Sequence, residues 1–320
     1  MQHMRLRFPS RPTTSLGISS GIALALATAL ISGISVFVNG YAVREFPDAT
    51  LFATLKNSMV GLALVVFIAR PGLWGRLANV PGRQRLGLGL LGIVGGSVPF
   101  VLFFQGLAQM NAAHAAVIHK TMFLWVALLA VIVLRERPGR AQLGAVGLLF
   151  AANLLLGGPG SLTLDSGAAL VFFATLLWSL EVVLAKWTLG KVDSQLAATA
   201  RMAGGAVVLL AFVTTQGQLA RLLDLTVTQW LWGAGTAVLL LGYVTTWYAA
   251  LQRAPATTVT CVLTLGAPIT ALLALLAGRP LPSPEQAVSH LVVVGAVGLL
   301  VWLAAPRPQT QSTGLAVGAH

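Results

Sequence analysis

Charged side chains are scarce in this sequence. Only 9% of its 320 residues are Asp, Glu, Lys or Arg, whereas 57% are hydrophobic. In a soluble domain charged residues make up about a quarter of the chain, because its surface faces water. A chain with so few charges must expose most of its surface to another medium, and the mean hydropathy of +0.85 indicates that this medium is lipid.

Cysteines and catalytic motifs are scarce as well. A single cysteine, Cys261, excludes a disulfide within the chain and a thiolate metal site. We find no HExxH, no paired acidic cluster and no Walker sequence GxxxxGK[ST], so we expect no cofactor, no metal and no ATP hydrolysis. Basic residues outnumber acidic ones by 20 to 8, but they lie in short gaps between apolar runs, which indicates membrane topology and predicts no nucleic-acid partner.

Ten apolar segments are candidates to cross a hydrocarbon layer of about 30 Å, which takes about 20 residues. Numbered one to ten in chain order, these spans are residues 18–40, 49–69, 86–107, 113–134, 141–157, 166–189, 196–216, 230–251, 256–277 and 287–305. The gaps are short and carry turn residues, which leaves no room for a soluble domain. The apolar run that follows the basic segment 1–17 is longer than a signal-peptide core and has no convincing cleavage site, so span one is expected to be retained. The polar tail 306–320 is predicted to be disordered.

Arginines in the gaps predict the orientation of the chain. Ten of them lie before span one or in the gaps after spans two and four, whereas the alternate gaps of this half hold only Arg44. Because basic residues concentrate on the cytoplasmic side, the N-terminus is predicted to be cytoplasmic. An even number of spans returns the C-terminus to the same side. We therefore expect a multi-pass protein of a bacterial-type inner membrane.

The second half of the chain repeats the first. The hexapeptide GAVGLL occurs at 144–149 and at 295–300, and LFATLKNSMVG of span two aligns with LAATARMAGGA of span seven. This alignment matches Lys56 with Arg201. It also matches Asp48, just upstream, with Asp193. The repeats cover residues 18–157 and 166–305, with five helices each, and an odd number makes the second upside down relative to the first. Such inverted repeats are typical of secondary transporters, whose two halves rock around a central site.

These features together resemble a known family. The two five-helix repeats, the Ala-rich start of span four and the L-x-E-R pattern that closes it at Leu134, Glu136 and Arg137 are similar to the EamA family of the drug/metabolite transporter superfamily. The resemblance covers residues 18–305. It implies an all-α integral membrane protein with ten transmembrane helices in two inverted five-helix repeats. It also implies export or exchange of small metabolites without ATP.

Two ionisable residues lie deep within predicted spans. A charge near the bilayer centre costs roughly 2.5 to 3.5 kcal/mol, so it usually faces a partner or a wet cavity. Lys120 lies about 5 Å outward of the middle of span four. It could attract a substrate carboxylate or phosphate from a cavity, or its stem could carry the ammonium to the outer surface. Glu181, in span six, could carry protons, contact substrate, or form the counter-charge of Lys120, from which it lies roughly 9 Å along the membrane normal.

Neighbouring side chains extend this candidate site. His119 points about 100° away from Lys120 around the helix and is either a hydrogen-bonded packing residue or a proton relay. Trp178 shares a helix face with Glu181, so an aromatic wall beside the carboxylate is predicted. With these four we group two deep aromatic residues of span eight, Tyr243 and Trp247, as candidates for substrate contact. Packing is the alternative for each aromatic residue.

Other polar residues within the spans are predicted to be structural. They are Lys56, Arg201, Asn39 and Lys186. The matched repeat positions of Lys56 and Arg201 favour a shared scaffold role, such as pairing with carbonyls or headgroups. Lys186 is close to the cytoplasmic end of span six and is expected to snorkel.

The sequence as a whole predicts a secondary transporter of a small metabolite, an amino acid or a related organic anion or zwitterion, working by alternating access around a midplane cavity. A membrane-embedded enzyme using His119, Lys120 and Glu181 is one alternative, and a non-transporting scaffold is another. The expected partners are a small-molecule substrate and the lipid bilayer, and the working unit is either one chain or a homodimer.

Overall fold

The computed structural model describes residues 15–68, 72–110, 112–157 and 165–304. Within these ranges the secondary structure is helical, with no strand. Most of the predicted N-terminal segment and the whole of the predicted disordered tail lie outside the described residues.

Helices occupy all ten predicted spans, which keep their numbers here. In chain order they are Ser15–Ala42; Ala49–Ala63 with a π-helix Leu64–Ile68; Gly82–Val94 with Val98–Leu107; Ala112–Lys120 with Met122–Leu129 and a π-helix Ala130–Leu134; Arg140–Gly157; Ser166–Thr188; Ser194–Thr215; Val227–Arg253; Ala256–Leu263 with Gly266–Leu276; and Pro284–Ala304. In the described part of the chain, nine spans are long and apolar enough to cross a membrane, and span five contributes a shorter apolar helix, Arg140–Leu156. The connections after spans one, two and seven contain the short helices Val43–Glu45, Leu73–Ala78 and Leu219–Leu223. The all-α membrane fold is therefore confirmed.

The aligned acids of the two repeats begin equivalent helices. The carboxylate of Asp48 accepts a hydrogen bond from the backbone N–H of Thr50 at 2.5 Å, and that of Asp193 accepts one from the N–H of Leu196 at 2.9 Å. Each acid satisfies an N–H that has no partner within its helix, as an N-cap does. Spans two and seven thus start in the same way, as the sequence repeat predicts.

Span one runs antiparallel to span eight. Gly21, near the start of span one, packs so closely on Ala254 at the end of span eight that a Cβ at position 21 would lie 2.8 Å from the Ala254 Cβ. Further along, the hydroxyl of Thr28 donates to that of Thr246 at 2.9 Å. Glycine and small hydroxyl residues let these two backbones approach each other without a gap.

The pair of spans that the repeat makes equivalent to spans one and eight packs in the same way. Span six is the counterpart of span one, and it runs antiparallel to span three, the counterpart of span eight. Gly167 meets Gly106 at one end of this pair, and Gly87 meets Thr188 at the other. Span one also packs on span nine, as span six packs on span four. The two repeats are therefore related by an approximate two-fold axis.

The repeated hexapeptide packs spans five and ten against each other. Its Ala, Val and second Leu positions are buried in both copies: Ala145, Val146 and Leu149, and Ala296, Val297 and Leu300. Its glycines have open space where a Cβ would point. The sequence identity therefore reflects one packing surface used twice.

Gly92 and Gly96 form a G-x-x-x-G pattern in span three, and this pattern makes a backbone contact with span seven. A Cβ on Gly92 would lie 3.0 Å from the Gly204 Cα, and one on Gly96 would lie 2.8 Å from the Gly205 Cα. The absence of a Cβ at these glycines lets the two backbones approach this closely. The contact also places the break in span three, between Val94 and Val98, directly against span seven.

Spans four and nine break at equivalent positions. Thr121 interrupts span four, and its hydroxyl donates to the carbonyl of Ile118 at 2.7 Å. Thr264 interrupts span nine, and its hydroxyl donates to the carbonyl of Cys261 at 2.6 Å. A side-chain hydroxyl thus satisfies a carbonyl next to each break, which makes the irregular backbone tolerable at this depth.

Candidate functional site

A cavity of about 430 Å³ lies between the two repeats. Spans one, four and five of the first repeat and spans nine and ten of the second form its walls, and both helix breaks at Thr121 and Thr264 are beside it. Most of the lining is apolar or glycine. The polar lining residues are Ser32, His119, Lys120, Asn153, Thr260, Thr264 and Thr270. A cavity with few polar groups in an apolar wall is typical of small-molecule sites.

Lys120 lies in this cavity. It is the last residue of the first segment of span four, immediately before the break. Within the described part of the chain its ammonium has no hydrogen-bond acceptor, and its charge acts on the side chains of His119 and His290. The cavity-facing interpretation of Lys120 therefore fits the structure, and its ammonium is available to a bound molecule. Contact with substrate stays a prediction.

His119 connects the cavity to an aromatic cluster. Its ring packs edge-on against Trp178 at a centroid distance of 4.8 Å and against Phe103 at 5.4 Å. Its Nδ1 is buried and, among the described residues, has no hydrogen-bond partner. His119 is thus placed by aromatic packing rather than by a hydrogen bond through Nδ1. A relay role stays a prediction.

Asn153 of span five is a cavity residue that the sequence reasoning missed. Its Nδ2 donates to the carbonyl of Val117 at 3.0 Å, which fixes the amide against span four. Its Oδ1 is buried and has no partner within the described ranges. The sequence could have indicated it, because Asn153 is an amide in an otherwise apolar helix and a polar side chain at this depth needs a partner.

Glu181 lies in a second, separate cluster. Its Oε1 accepts a hydrogen bond from the Tyr248 hydroxyl at 2.5 Å and lies 3.4 Å from the Nε of Arg201. The side chains of Glu181 and Arg201 are only 4% and 9% exposed. The hypothesis that Glu181 is the counter-charge of Lys120 is therefore wrong, because Arg201 occupies that place. The hypothesis that Arg201 pairs with carbonyls or headgroups is wrong for the same reason.

The break in span three makes room for this ion pair. A Cβ at Gly95 would collide with the side chain of Glu181 and lie 3.0 Å from the Arg201 Nε. The carbonyl of Gly95 accepts a hydrogen bond from the Trp178 Nε1 at 3.3 Å. Trp178 thus lies between the two clusters, with its N–H on the broken span and its ring against His119.

The two candidates of span eight lie apart from the cavity lining. Tyr243 and Trp247 stack nearly parallel, with centroids 6.0 Å apart and an angle of 11°. Trp247 is only 4% exposed. Their neighbour Tyr248, which was not a candidate, is the residue that bonds Glu181. Substrate contact by Tyr243 or Trp247 stays a prediction.

Two of the predicted structural residues lie in the first repeat. The ammonium of Lys56 lies 4.7 Å above the ring of Phe52, one turn earlier in span two, in a cation–π contact. Asn39 donates from Nδ2 to the hydroxyl of Ser35 at 3.2 Å within span one. Lys56 therefore makes a different contact from its repeat partner Arg201.

Lys186 and Glu136 stabilise the corner between spans eight and nine. The ammonium of Lys186 donates to two carbonyls at the end of span eight, including that of Ala254 at 2.6 Å. The prediction that it snorkels is therefore wrong. Glu136, from the L-x-E-R pattern, accepts from the N–H of Ala256 at 2.8 Å and from the hydroxyl of Thr257 at 2.9 Å. A cation thus meets a helix C-terminus and an anion meets a helix N-terminus, as the helix dipole favours.

Known proteins match both halves of the chain. The model of the EamA-like transporter family matches residues 19–158 and 165–302, which are the two repeats. A Sinorhizobium protein named "Uncharacterized transporter in cobO 3'region" is 31% identical over 106 residues, which cover 33% of this chain and 74% of that protein. A solved structure described only as "Crystal structure of protein" has a TM-score of 0.71 and 17% identity over 89% of this chain and 98% of that one. That similarity shows a shared fold.

Proposed function

The chain belongs to the EamA-like transporter family and is a multi-pass membrane transporter, and from this premise we propose that it exports or exchanges a small metabolite through the cavity between its repeats. The observation that carries the proposal is a cavity walled by both repeats, with an ammonium at a helix break that has no acceptor among the described residues. Two halves that share one site can open it to either side by rocking against each other. Lys120 would supply the positive charge that holds the substrate.

In the proposed alternating-access mechanism, the contact between Glu136 and the start of span nine would open and close the cytoplasmic side. The cavity lining reaches Val36, Leu156 and Ala274, toward ends of spans that the predicted topology places outside. At the opposite ends, the hydrogen bonds from Ala256 and Thr257 to Glu136 hold spans four and nine together. We propose that this contact closes the cytoplasmic side and separates when the transporter faces inward. The inner-membrane location and the cytoplasmic termini are part of the same proposal.

The structure gives no support to the enzyme alternative. His119 and Lys120 share the cavity, but Glu181 is bonded to Tyr248 and Arg201 in the other cluster. The three residues of the suggested active site are therefore not brought together.

Flux measurements in proteoliposomes test the proposal. Purified full-length protein would be assayed for uptake and counterflow of labelled amino acids, organic acids, sugars and phosphate esters. A hydrogen bond to a charged group contributes about 1.5 to 3 kcal/mol, so Lys120→Ala should reduce flux roughly tenfold or more, and Lys120→Arg should restore part of it. Lys191→Ala, at an exposed loop lysine, is the matched control and should keep normal flux.

Two results would contradict the proposal at different levels. Unchanged flux in Lys120→Ala would remove Lys120 from the substrate site. Absence of flux for every class of compound, with folded protein in the vesicles, would contradict small-metabolite transport itself.

A further inference from the structure

The cavity contains a cation but no carboxylate. The sequence has eight acidic residues, and the structure describes all of them. None lines the cavity. Glu136 caps span nine, and Glu181 is bonded to Arg201 and Tyr248. The N-caps of spans two, six and seven are Asp48, Asp165 and Asp193. The exposed acids at helix ends and connections are Glu45, Asp224 and Glu285.

This distribution disfavours a zwitterionic amino acid. If the carboxylate of an α-amino acid bound the ammonium of Lys120, its own ammonium would lie about 5 Å away, because both groups of the amino acid are on one carbon. Like charges at this distance repel strongly where water is scarce. No acidic side chain is available to offset the repulsion, and an unpaired buried charge is costly. An anion that lacks the amine avoids the conflict.

Asn153 adds a second requirement. Its Nδ2 donates to the Val117 carbonyl, and its Oδ1 has no hydrogen-bond partner among the described residues. Asn153 is 4% exposed, and a buried acceptor of this kind is normally satisfied. Asn153 lines the cavity, so a small rotation of its side chain would bring the buried Oδ1 to a substrate hydroxyl, which would satisfy it without adding charge.

The remaining wall selects the body of the substrate. Around these polar groups the lining is largely apolar, with Met122, Phe123, Leu149, Leu263 and Val293 among its members. We infer that the cavity takes a hydroxy-substituted organic monoanion with an apolar body, and that it discriminates against the amino acid of the same carbon skeleton. This inference rests on the proposed transport function and names the substrate class of the same cavity.

Matched compounds test the inference directly. The probes are leucine and phenylalanine, the α-hydroxy acid of each carbon skeleton, and the carboxylic acid that lacks both substituents. Their binding to purified full-length protein in nanodiscs would be measured by calorimetry, and their transport by counterflow in proteoliposomes. We expect each hydroxy acid to bind roughly tenfold or more tightly than its amino acid, since an unpaired buried charge costs more than one hydrogen bond.

Variants assign the discrimination to the two side chains. Lys120→Met should abolish binding of the hydroxy acids. Asn153→Leu should remove the preference for the hydroxy acid over the unsubstituted acid while binding of the unsubstituted acid remains. Lys191→Met, at an exposed loop position, should behave like the unmodified protein. Size-exclusion profiles and thermal unfolding would establish that each variant is folded.

The outcomes separate the inference from the function on which it rests. Amino acids that bind as tightly as the hydroxy acids, or more tightly, would overturn the inference and leave transport intact. The same holds if neither acid series binds but another class of metabolite is transported. If no compound of any class is bound or moved by folded protein, the proposed function fails as well.

Discussion

The ion pair between Glu181 and Arg201 allows a quantitative prediction. Its charged atoms are 3.4 Å apart, and its side chains are 4% and 9% exposed. At an effective dielectric constant of about 20, two unit charges at this distance attract each other by about 5 kcal/mol. Removing one partner of a buried pair costs about 3 to 5 kcal/mol, because the other charge stays buried and uncompensated. Both arguments predict a large effect.

We therefore expect Glu181→Gln and Arg201→Gln each to lower the free energy of unfolding by about 3 to 5 kcal/mol. The double variant has no charge left to compensate, and Tyr248 can still donate to the amide oxygen at position 181. The double variant should therefore lose less free energy of unfolding than the sum of the two single losses, by about 2 kcal/mol or more. Unfolding in detergent micelles, measured for all four proteins, gives this coupling energy.

An exposed ion pair of similar length provides the control. Arg76 and Asp193 are 3.3 Å apart, but their side chains are 43% and 41% exposed. Arg76→Gln should cost at most about 1 kcal/mol, because solvent screens an exposed pair. The reasoning is refuted if the single substitutions in the buried pair cost as little as Arg76→Gln, or if their effects add without coupling.

Two further predictions concern packing and capping. Gly96→Val should destabilise the protein by about 1 to 3 kcal/mol through overpacking against Gly205; Gly89→Val, where a side chain meets open space, is the control, and equal losses in thermal unfolding would contradict the assigned contact. Glu136→Ala should cost about 1 to 3 kcal/mol, because the N–H of Ala256 and the hydroxyl and N–H of the next residue lose their acceptor. An unchanged unfolding midpoint in Glu136→Ala would show that water replaces the carboxylate.

Much of the fold could be predicted from the sequence because local patterns encode it. The length of each apolar run gives a helix able to cross a membrane, and a helix needs no distant partner for its backbone hydrogen bonds. The repeat could be recognised in the sequence because equivalent residues of the two copies make equivalent contacts. Asp48 and Asp193 cap equivalent helices, and the hexapeptides at 144–149 and 295–300 bury the same positions.

The candidate site could be predicted only in part. Lys120 could be identified as a candidate because a charged side chain within an apolar span costs free energy. The structure places it in the cavity. Asn153 was missed because a neutral amide is a weaker signal than a charge. Lys186 lies near a helix end, which suggested that its ammonium reaches the membrane surface. The carbonyls that it binds instead belong to the end of another helix.

What the sequence determined by itself is depth: the rise of about 1.5 Å per residue locates Lys120 and Glu181 along their own helices. Only the tertiary structure decided which side chains meet. Glu181 lies close enough to the depth of Lys120 for an ion pair, yet it bonds Arg201 and Tyr248. The order and rotation of the helices turn its side chain away from the cavity. That order depends on contacts between distant segments, such as Gly96 of span three against span seven. A helix's own residues fix how deep a group lies, but its neighbours decide what that group faces.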